Sequence, residues 1–345
     1  MTETLDTCRI LYNRLLAWRK DAYEQTGKSP SRYEQTNALP QWKKENDFLS
    51  RVHSQVIQEV VQRVDRSYQN FFRRCKEGKE KAGFPRFKGR GHYDSFCYPQ
   101  SGFSLGETSV TLSKIGEVKA IVHPAIEGQV KTCTIRRQNG KWFACFVIEV
   151  EAVTLPANGE AVGIDVGLSS FATLSTGEQI PNPRFYRKDE KALAKAQRRL
   201  AKFEKGTKER RKARKVVARI HERIRNRRHN FVHQEARKIV NRFEKIAVEK
   251  LNVKGMAKNH CLAKSMGDAS WTMFRTVLSQ KAESAARKFA QVNPAFTSQD
   301  CHACGYRAKK KLSERWHHCP MCAASLDRDL NAAMNILSLG TQTFG

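Results

Sequence analysis

Two short cysteine pairs near the C-terminus have the spacing of metal ligands. The pairs are Cys301 with Cys304 and Cys319 with Cys322, each separated by two residues. Two such knuckles can supply four thiolates at the corners of a tetrahedron, the closed geometry of structural zinc. Because four sulfurs complete that shell, we expect the neighbouring His302, His317 and His318 to be surface residues rather than ligands.

Carboxylates at the ends of apolar runs form a second candidate site. Asp165 follows Val162–Ile164 and Glu249 follows Ile246–Val248, so each is expected at the end of a buried strand. A single aspartate at a strand end is usually a turn residue, so the order of the surrounding elements matters more. That order is a strand, a β-meander, helices and a second strand, as in an RNase H-like fold, where these acids face one another.

The acids predict a metal-dependent nuclease. Three carboxylates close together repel one another unless cations neutralise them, and Mg²⁺ prefers such hard oxygen ligands. In a site with two Mg²⁺ ions, one ion polarises a water for attack, and the other stabilises the leaving 3′ oxygen of a phosphodiester.

The third acid has two candidates, Asp327 and Asp329, in the segment 327–333. Their spacing places them on different sides of a helix start, so one is expected to point toward the metal. Aspartate is also a good helix N-cap. We favour Asp329 as the ligand, with Asp327 as a cap or a substrate contact.

The composition indicates a nucleic-acid partner. The 345 residues have a formal net charge of +29 and a pI of about 10.0. Such an excess of positive charge repels itself in a folded protein and is best tolerated when the protein binds a polyanion. A basic ribosome-associated protein is the plain alternative. No signal peptide is recognisable, and no apolar run approaches the roughly 18 residues of a membrane span. We expect a cytoplasmic prokaryotic protein, associated with the nucleoid when it is bound to DNA.

Cations concentrate in two places. A helical region from about residue 188 to 243 is predicted to lie along a phosphate backbone rather than to be a solvated face, because its acids are sparse. The candidate contacts there are Arg198, Arg199, Arg210, Arg211, Arg214, Arg227 and Arg228. Arg86 and Lys88 lie in a glycine- and aromatic-rich segment, 83–91, that suits either a phosphate contact or a hydrophobic hinge.

Periodicity predicts the other elements. Helices dominate the first 80 residues, and residues 95–151 predict an antiparallel barrel or sandwich with a hairpin turn at Asn139-Gly140. A linker at 155–159 precedes the strand that ends in Asp165. Asn252–Gly267 is predicted to be a loop, Met273–Ala290 an amphipathic helix, and Asn331–Leu339 the last helix.

Several segments together resemble the TnpB family, the RNA-guided nucleases of IS200/IS605-type transposons that are related to Cas12 effectors. The resemblance is carried by residues 163–167, 248–252, 294–301 and 327–336, and more weakly by 83–88. It implies an α+β multidomain protein: a RuvC-like nuclease of RNase H-like fold with an inserted zinc ribbon, and a wedge-type β-barrel with an inserted helical recognition lobe.

The resemblance also implies domain bounds and roles. The expected parts are a recognition lobe (1–80), a wedge barrel (81–155), a nuclease part with basic helices (160–295), a zinc ribbon (296–323) and a nuclease C-terminal part (324–345). The active acids carry over as Asp165, Glu249 and Asp329. Family members begin with a strand that completes the barrel, and that strand is expected to be missing here.

By the same resemblance, the expected function is that of an RNA-guided DNA endonuclease. Its partners would be a guide RNA made from the transposon end and double-stranded target DNA beside a short motif, with a monomer favoured. A cleavage-inactive RNA-guided repressor and a protein-only transposase or resolvase are the alternatives. All three acids are present, which favours the enzyme.

Overall fold

The computed structural model describes residues 1–78, 82–122, 127–152, 154–256, 258–309 and 314–344. They form two compact units, Met1–Glu151 and Ala152–Gly345, each with its own buried apolar core. In these ranges no helix combines the length and the apolar character that crossing a membrane requires.

The first unit begins with helices. They are α1 (Thr2–Thr26), α2 (Arg32–Glu45), α3 (Asp47–Ser50) and α4 (Ser54–Lys76). Apolar residues at helical spacing, such as Leu11 and Leu15 on α1 and Val60 and Val64 on α4, are at most 1% exposed and form the core. This is the helical start that the periodicity predicts.

Two antiparallel sheets of three strands complete the first unit. One has the order β1 (Ser95–Tyr98), β5 (Gln129–Gln138), β6 (Lys141–Glu149), and the other joins β2 (Phe103–Leu105), β3 (Ser109–Leu112) and β4 (Gly116–Lys119). Asn139 and Gly140 form the predicted turn between β5 and β6, both with positive φ. Within the described strands the two sheets are not joined by hydrogen bonds, so strand pairing does not close a barrel here.

The second unit is built on one five-stranded sheet. Its order is β11 (Lys288–Val292), β10 (Lys245–Glu249), β7 (Ala161–Val166), β8 (Ser170–Leu174), β9 (Gln179–Pro181). The first three strands are parallel, and β8 and β9 run antiparallel to their neighbours. The central strands have continuous apolar runs, with Val162, Ile164 and Ile246 fully buried, as expected for a sheet that is covered on both faces.

Helices surround this sheet. They are α5 (Phe185–Ala201), α6 (Lys208–Arg242), α7 (Val253–Met256), α8 (His260–Ala269), α9 (Trp271–Ser284) and α10 (Arg328–Thr341). Gly206 and Thr207 lie between α5 and α6, and the Thr207 hydroxyl caps α6 by accepting from the Arg210 backbone N–H.

Two secondary-structure predictions about this unit are wrong. The predicted loop Asn252–Gly267 contains α7 and most of α8. The predicted helix Met273–Ala290 ends at Ser284, and Lys288–Val292 forms the edge strand β11 instead. Pairing with β10 overrides the local helical pattern, because it satisfies the backbone groups of both strands.

The cysteine segment contains a short antiparallel hairpin, β12 (Trp316–His318) with β13 (Ser325–Asp327). His302 and His318 are exposed as predicted, but His317 is fully buried, so the prediction of a surface residue is wrong for it. Alternation along β12 explains the difference, since His317 points to the face opposite its two neighbours.

Candidate metal centres

Neighbouring parallel strands bring the first two acids to one edge of the sheet. Ile164 of β7 lies opposite Val248 of β10, and each is followed by its acid, Asp165 and Glu249. Parallel strands end at the same edge, so these two carboxyl groups emerge side by side. Residues 84 positions apart in the chain thus become neighbours through strand register.

Helix α10 approaches the same strands closely. A Cβ at Gly163 of β7 would overlap the Ala333 carbonyl oxygen of α10, and a Cβ at Gly340 of α10 would overlap the Cβ of Ala247 on β10. Only glycine permits such contact between a helix and a sheet. The two glycines therefore set the position of α10, which carries Asp327 and Asp329 at its start.

The two aspartates of α10 take different roles. Asp327 is the N-cap, and its Oδ1 accepts from the backbone N–H groups of Asp329 at 2.8 Å and Leu330 at 3.1 Å. Asp329 lies in the first turn, with Oδ2 3.6 Å from Arg315 Nη1 and Oδ1 3.4 Å from Arg328 Nη2. The capping role favoured for Asp327 is thus observed.

The carboxylates of Glu249 and Asp329 interact electrostatically with that of Asp165. Burial raises the pKa of Asp165 well above its ordinary value, and the negative charges of Glu249 and Asp329 raise it further, against Arg328. Burial also raises the pKa of Glu249, against a hydrogen bond from Thr297. Because interacting carboxyl groups titrate as a set, we assign the repulsion to the cluster rather than to Asp165 alone.

The four cysteines form a tighter cluster. Cys301 Sγ lies 3.6 Å from Cys322 Sγ, and Cys304 Sγ lies 3.5 Å from Cys319 Sγ. All four sulfurs lie within 4.8 Å of one another, and among the residues that the structure describes no other set of three or more candidate ligands is so compact. A tetrahedron with Zn–S bonds of about 2.3 Å has edges of about 3.8 Å, so the sulfurs fit zinc.

Backbone groups of the knuckles polarise the thiols. The N–H groups of Cys322 and Met321 point to Cys319 and lower the pKa of its thiol to about 6. The Tyr306 N–H lowers the pKa of Cys304, but burial and hydrogen bonds with the other sulfurs raise it overall to about 12. The thiols therefore titrate as a set, and a bound cation would stabilise the thiolates that metal ligation requires.

Three uncharged residues that the sequence pattern did not predict as functional connect the two centres. The Thr297 hydroxyl donates to Glu249 Oε1 at 2.7 Å. Asn331 and Asn335 of α10 donate to the Asp300 carbonyl oxygen at 2.8 and 2.7 Å, immediately before Cys301. Asparagines on a helix face are unusual at full burial, and Asn331 is completely buried. Their position in the motif 327–336 was the available signal.

The predicted nucleic-acid contacts on α5 and α6 divide into two groups. Arg210 donates to the Phe203 carbonyl oxygen, Arg227 pairs with Asp189 at 3.5 Å and Arg228 pairs with Asp268 at 2.9 Å, so these three hold the unit together. The exposed members are Arg198, Arg199, Arg211 and Arg214, and Arg227 joins them because its side chain is 48% exposed beside Asp189. These five arginines present charge to solvent, whereas Arg210 and Arg228 are partly buried.

In the first unit, the segment 83–91 is held by its backbone. Asn13 of α1 donates to the Lys88 carbonyl oxygen at 3.0 Å and accepts from the Lys88 N–H at 2.7 Å. The Lys88 ammonium lies 5.7 Å from the centre of the Tyr12 ring, whereas Arg86 is exposed. The structure therefore anchors Lys88 and leaves Arg86 accessible.

Comparison with known families places this mixed α/β chain in a defined group. Residues 145–260 match the family OrfB_IS605, described as "Probable transposase". Residues 271–336 match the Cas12f1-like TNB domain, and residues 1–28 match the helix-turn-helix domain of OrfB_IS605 proteins.

Two relatives align over nearly the whole chain. A Streptomyces pristinaespiralis protein named "Putative RNA-guided DNA endonuclease" is 36% identical over 349 residues, which cover 99% of this chain and 85% of the relative. The Escherichia coli (strain K12) protein named "Putative RNA-guided DNA endonuclease InsQ" is 31% identical, covering 96% and 86%. The chain belongs to the TnpB family.

Solved structures are more distant. A Cas12f1–sgRNA–target DNA complex aligns with a TM-score of 0.40 at 13% identity, covering 97% of this chain and 92% of that chain. A CRISPR–Cas12f ternary complex aligns with a TM-score of 0.42 at 15% identity, covering 97% and 80%.

Proposed function

We propose that the protein is an RNA-guided DNA endonuclease that hydrolyses phosphodiester bonds at Asp165, Glu249 and Asp329. The observation that carries the proposal is the convergence of these acids from β7, β10 and α10 at one edge of the sheet. The names of the two relatives that align over nearly the whole chain support the same activity.

The donor set fits Mg²⁺. The ligands would be carboxylate oxygens. Burial first, and then the charges of Glu249 and Asp329, raise the pKa of Asp165, and a divalent cation would offset both effects. Bound there, two Mg²⁺ ions would supply an activated water and stabilise the leaving 3′ oxygen. The chain itself holds the three acids in place through strand register and the close approach of α10.

One structural Zn²⁺ is proposed at Cys301, Cys304, Cys319 and Cys322. Its support is the compact sulfur cluster and the match of 271–336 to a Cas12f1-like TNB domain. Four sulfurs leave no coordination position for water, so this centre would stabilise the fold rather than take part in hydrolysis.

We propose the same domain organisation as before: recognition lobe 1–80, wedge domain 81–155, RuvC-like nuclease 160–295 and 324–345, and zinc ribbon 296–323. The sheet order of the second unit, with three parallel strands followed by two antiparallel ones, supports the RNase H-like assignment. A guide RNA and a target duplex beside a short motif would contact the exposed cations, among them Arg86, Arg211 and Arg214.

The experiment that tests this function combines RNA sequencing with cleavage. The protein is purified with its bound RNA, the RNA is sequenced, and a plasmid that matches the guide is offered with Mg²⁺. We expect wild type to cut it, Asp165→Ala and Asp165→Asn to bind it without cutting, and the exposed control Asp21→Ala to behave as wild type.

Each other outcome contradicts one element of the proposed function. If wild type binds the plasmid without cutting it, the protein is an RNA-guided repressor. If it cuts DNA without any defined RNA, it is a protein-only transposase or resolvase. Normal cleavage by Asp165→Ala would remove the assignment of the active site.

A further inference from the structure

Thr297 is a buried hydroxyl directed at one of the proposed metal ligands. Its side chain lies in the connection between β11 and the cysteine segment, and the residue is 4% exposed. Oγ1 donates to Glu249 Oε1 at 2.7 Å and also lies 3.2 Å from the Pro294 carbonyl oxygen. A hydroxyl has one proton, and an ionised carboxylate is the stronger acceptor, so the bond to Glu249 dominates.

The backbone of Thr297 is fixed to the helix that carries Asp329. Asn335 Nδ2 donates to the Thr297 carbonyl oxygen at 2.8 Å and to the Asp300 carbonyl oxygen at 2.7 Å. One turn earlier, Asn331 Nδ2 donates to the same Asp300 oxygen at 2.8 Å, and its Oδ1 accepts from the His302 N–H at 3.0 Å.

These contacts form a continuous path from Glu249 to α10. Asn335 and Thr297 join the start of the cysteine segment to β10, while Asn331 joins the residues on both sides of Cys301 to α10. The rotation of the Glu249 carboxylate and its distance from Asp329 therefore depend on a residue that carries no charge.

We propose that Thr297 is the positioning residue that orients Glu249 toward a divalent cation, with Asn335 setting Thr297 relative to α10. The inference rests on the proposed function, since it concerns the same carboxylates. Outer partners of metal ligands typically change metal affinity about 10- to 100-fold when they are removed. Thr297 needs no contact with nucleic acid to act in this way.

The test measures metal affinity directly. Mn²⁺ binding to the full-length protein with its co-purified RNA is followed by the electron paramagnetic resonance of free Mn²⁺. The Asp165→Ala variant is measured in parallel, and the Mn²⁺ ions that it binds are subtracted as the background held by the RNA. Thr297→Val keeps the shape and removes the hydroxyl, whereas Thr297→Ser keeps the hydroxyl. We expect Thr297→Val to weaken the Asp165-dependent binding about tenfold or more, and Thr297→Ser to restore it, with melting temperatures close to wild type.

A second comparison separates positioning from fold stability. Asn335→Ala releases the Thr297 carbonyl oxygen and should weaken Mn²⁺ binding in the same direction. Asn331→Ala leaves Thr297 untouched and should lower the melting temperature more than the Mn²⁺ affinity.

Two results would overturn the proposal: unchanged Mn²⁺ binding in Thr297→Val, whatever its melting temperature, or equal losses of binding in Thr297→Val and Thr297→Ser. If Asp165→Ala binds as many Mn²⁺ ions as wild type, the proposed function itself fails. If Mn²⁺ binding follows Asp165 and Thr297 but wild type does not cut DNA, positioning stands and the nuclease activity fails.

Discussion

The two candidate metal centres of the second unit are assembled in opposite ways. The four cysteines come from one segment of 22 residues, and their sulfurs lie within 4.8 Å of one another. The acids come from two strands and a helix that are spread over 165 positions, from Asp165 to Asp329. The cysteine centre therefore depends on local turns, whereas the acid centre depends on the packing of the whole unit.

The two centres also differ in which groups balance their negative charge. Backbone N–H groups within the knuckles favour a thiolate at Cys319. At the acid centre, burial and neighbouring carboxylates disfavour the charged form of Asp165, and Arg328 opposes them only in part.

Zinc removal should give the largest effect. Structural zinc contributes about 10–16 kcal/mol in small zinc modules, so chelation or Cys319→Ser should unfold the ribbon and lower the melting temperature of the second unit. Differential scanning calorimetry with metal analysis checks this, with the exposed Cys75→Ser as the control. One zinc per chain is expected. Identical melting curves before and after its removal would contradict the view that zinc at the four cysteines stabilises this segment.

Gly163→Ala should damage the acid centre through packing alone. The new Cβ would overlap the Ala333 carbonyl oxygen, and overpacking costs roughly 1–3 kcal/mol or more when backbone must move. Urea unfolding and the cleavage assay should both show a loss. The matched control is Gly267→Ala in α8, where the Cβ meets nothing within 4 Å and stability should rise by up to about 1 kcal/mol. Full activity and stability in Gly163→Ala would show that α10 can shift without cost.

The smallest effect on stability is expected at two neighbouring aspartates of α10, which differ in their effect on cleavage. Asp327→Ala removes the cap of α10 and should cost about 1 kcal/mol of stability while cleavage persists. Asp329→Ala keeps the cap and should abolish Mg²⁺-dependent cleavage with little change in melting temperature. Urea unfolding and plasmid cleavage of the two variants give the answer, and an inactive Asp327→Ala beside an active Asp329→Ala would reverse their roles.

Much of the fold could be predicted because its signals are local. Helical periodicity marked α1 and α4, the Asn139-Gly140 turn marked a hairpin, and apolar runs marked β7 and β10. The errors fall where tertiary contacts decide. The helix predicted for Met273–Ala290 runs into Lys288–Val292, which pairs with β10 instead, and His317 is buried by the packing of a three-residue strand.

For the candidate site, residue types and spacing predicted the cysteine pairs, Asp165, Glu249 and a third acid at 327 or 329, because ligand chemistry restricts which residues can serve, and the resemblance to the TnpB family supplied their roles. They did not reveal that Thr297 and Asn335 connect Glu249 to α10, or that Arg210, Arg227 and Arg228 form hydrogen bonds or ion pairs within the second unit. A hydrogen bond or an ion pair depends on distances of about 3 Å between groups far apart in the chain. Only the folded structure determines those distances.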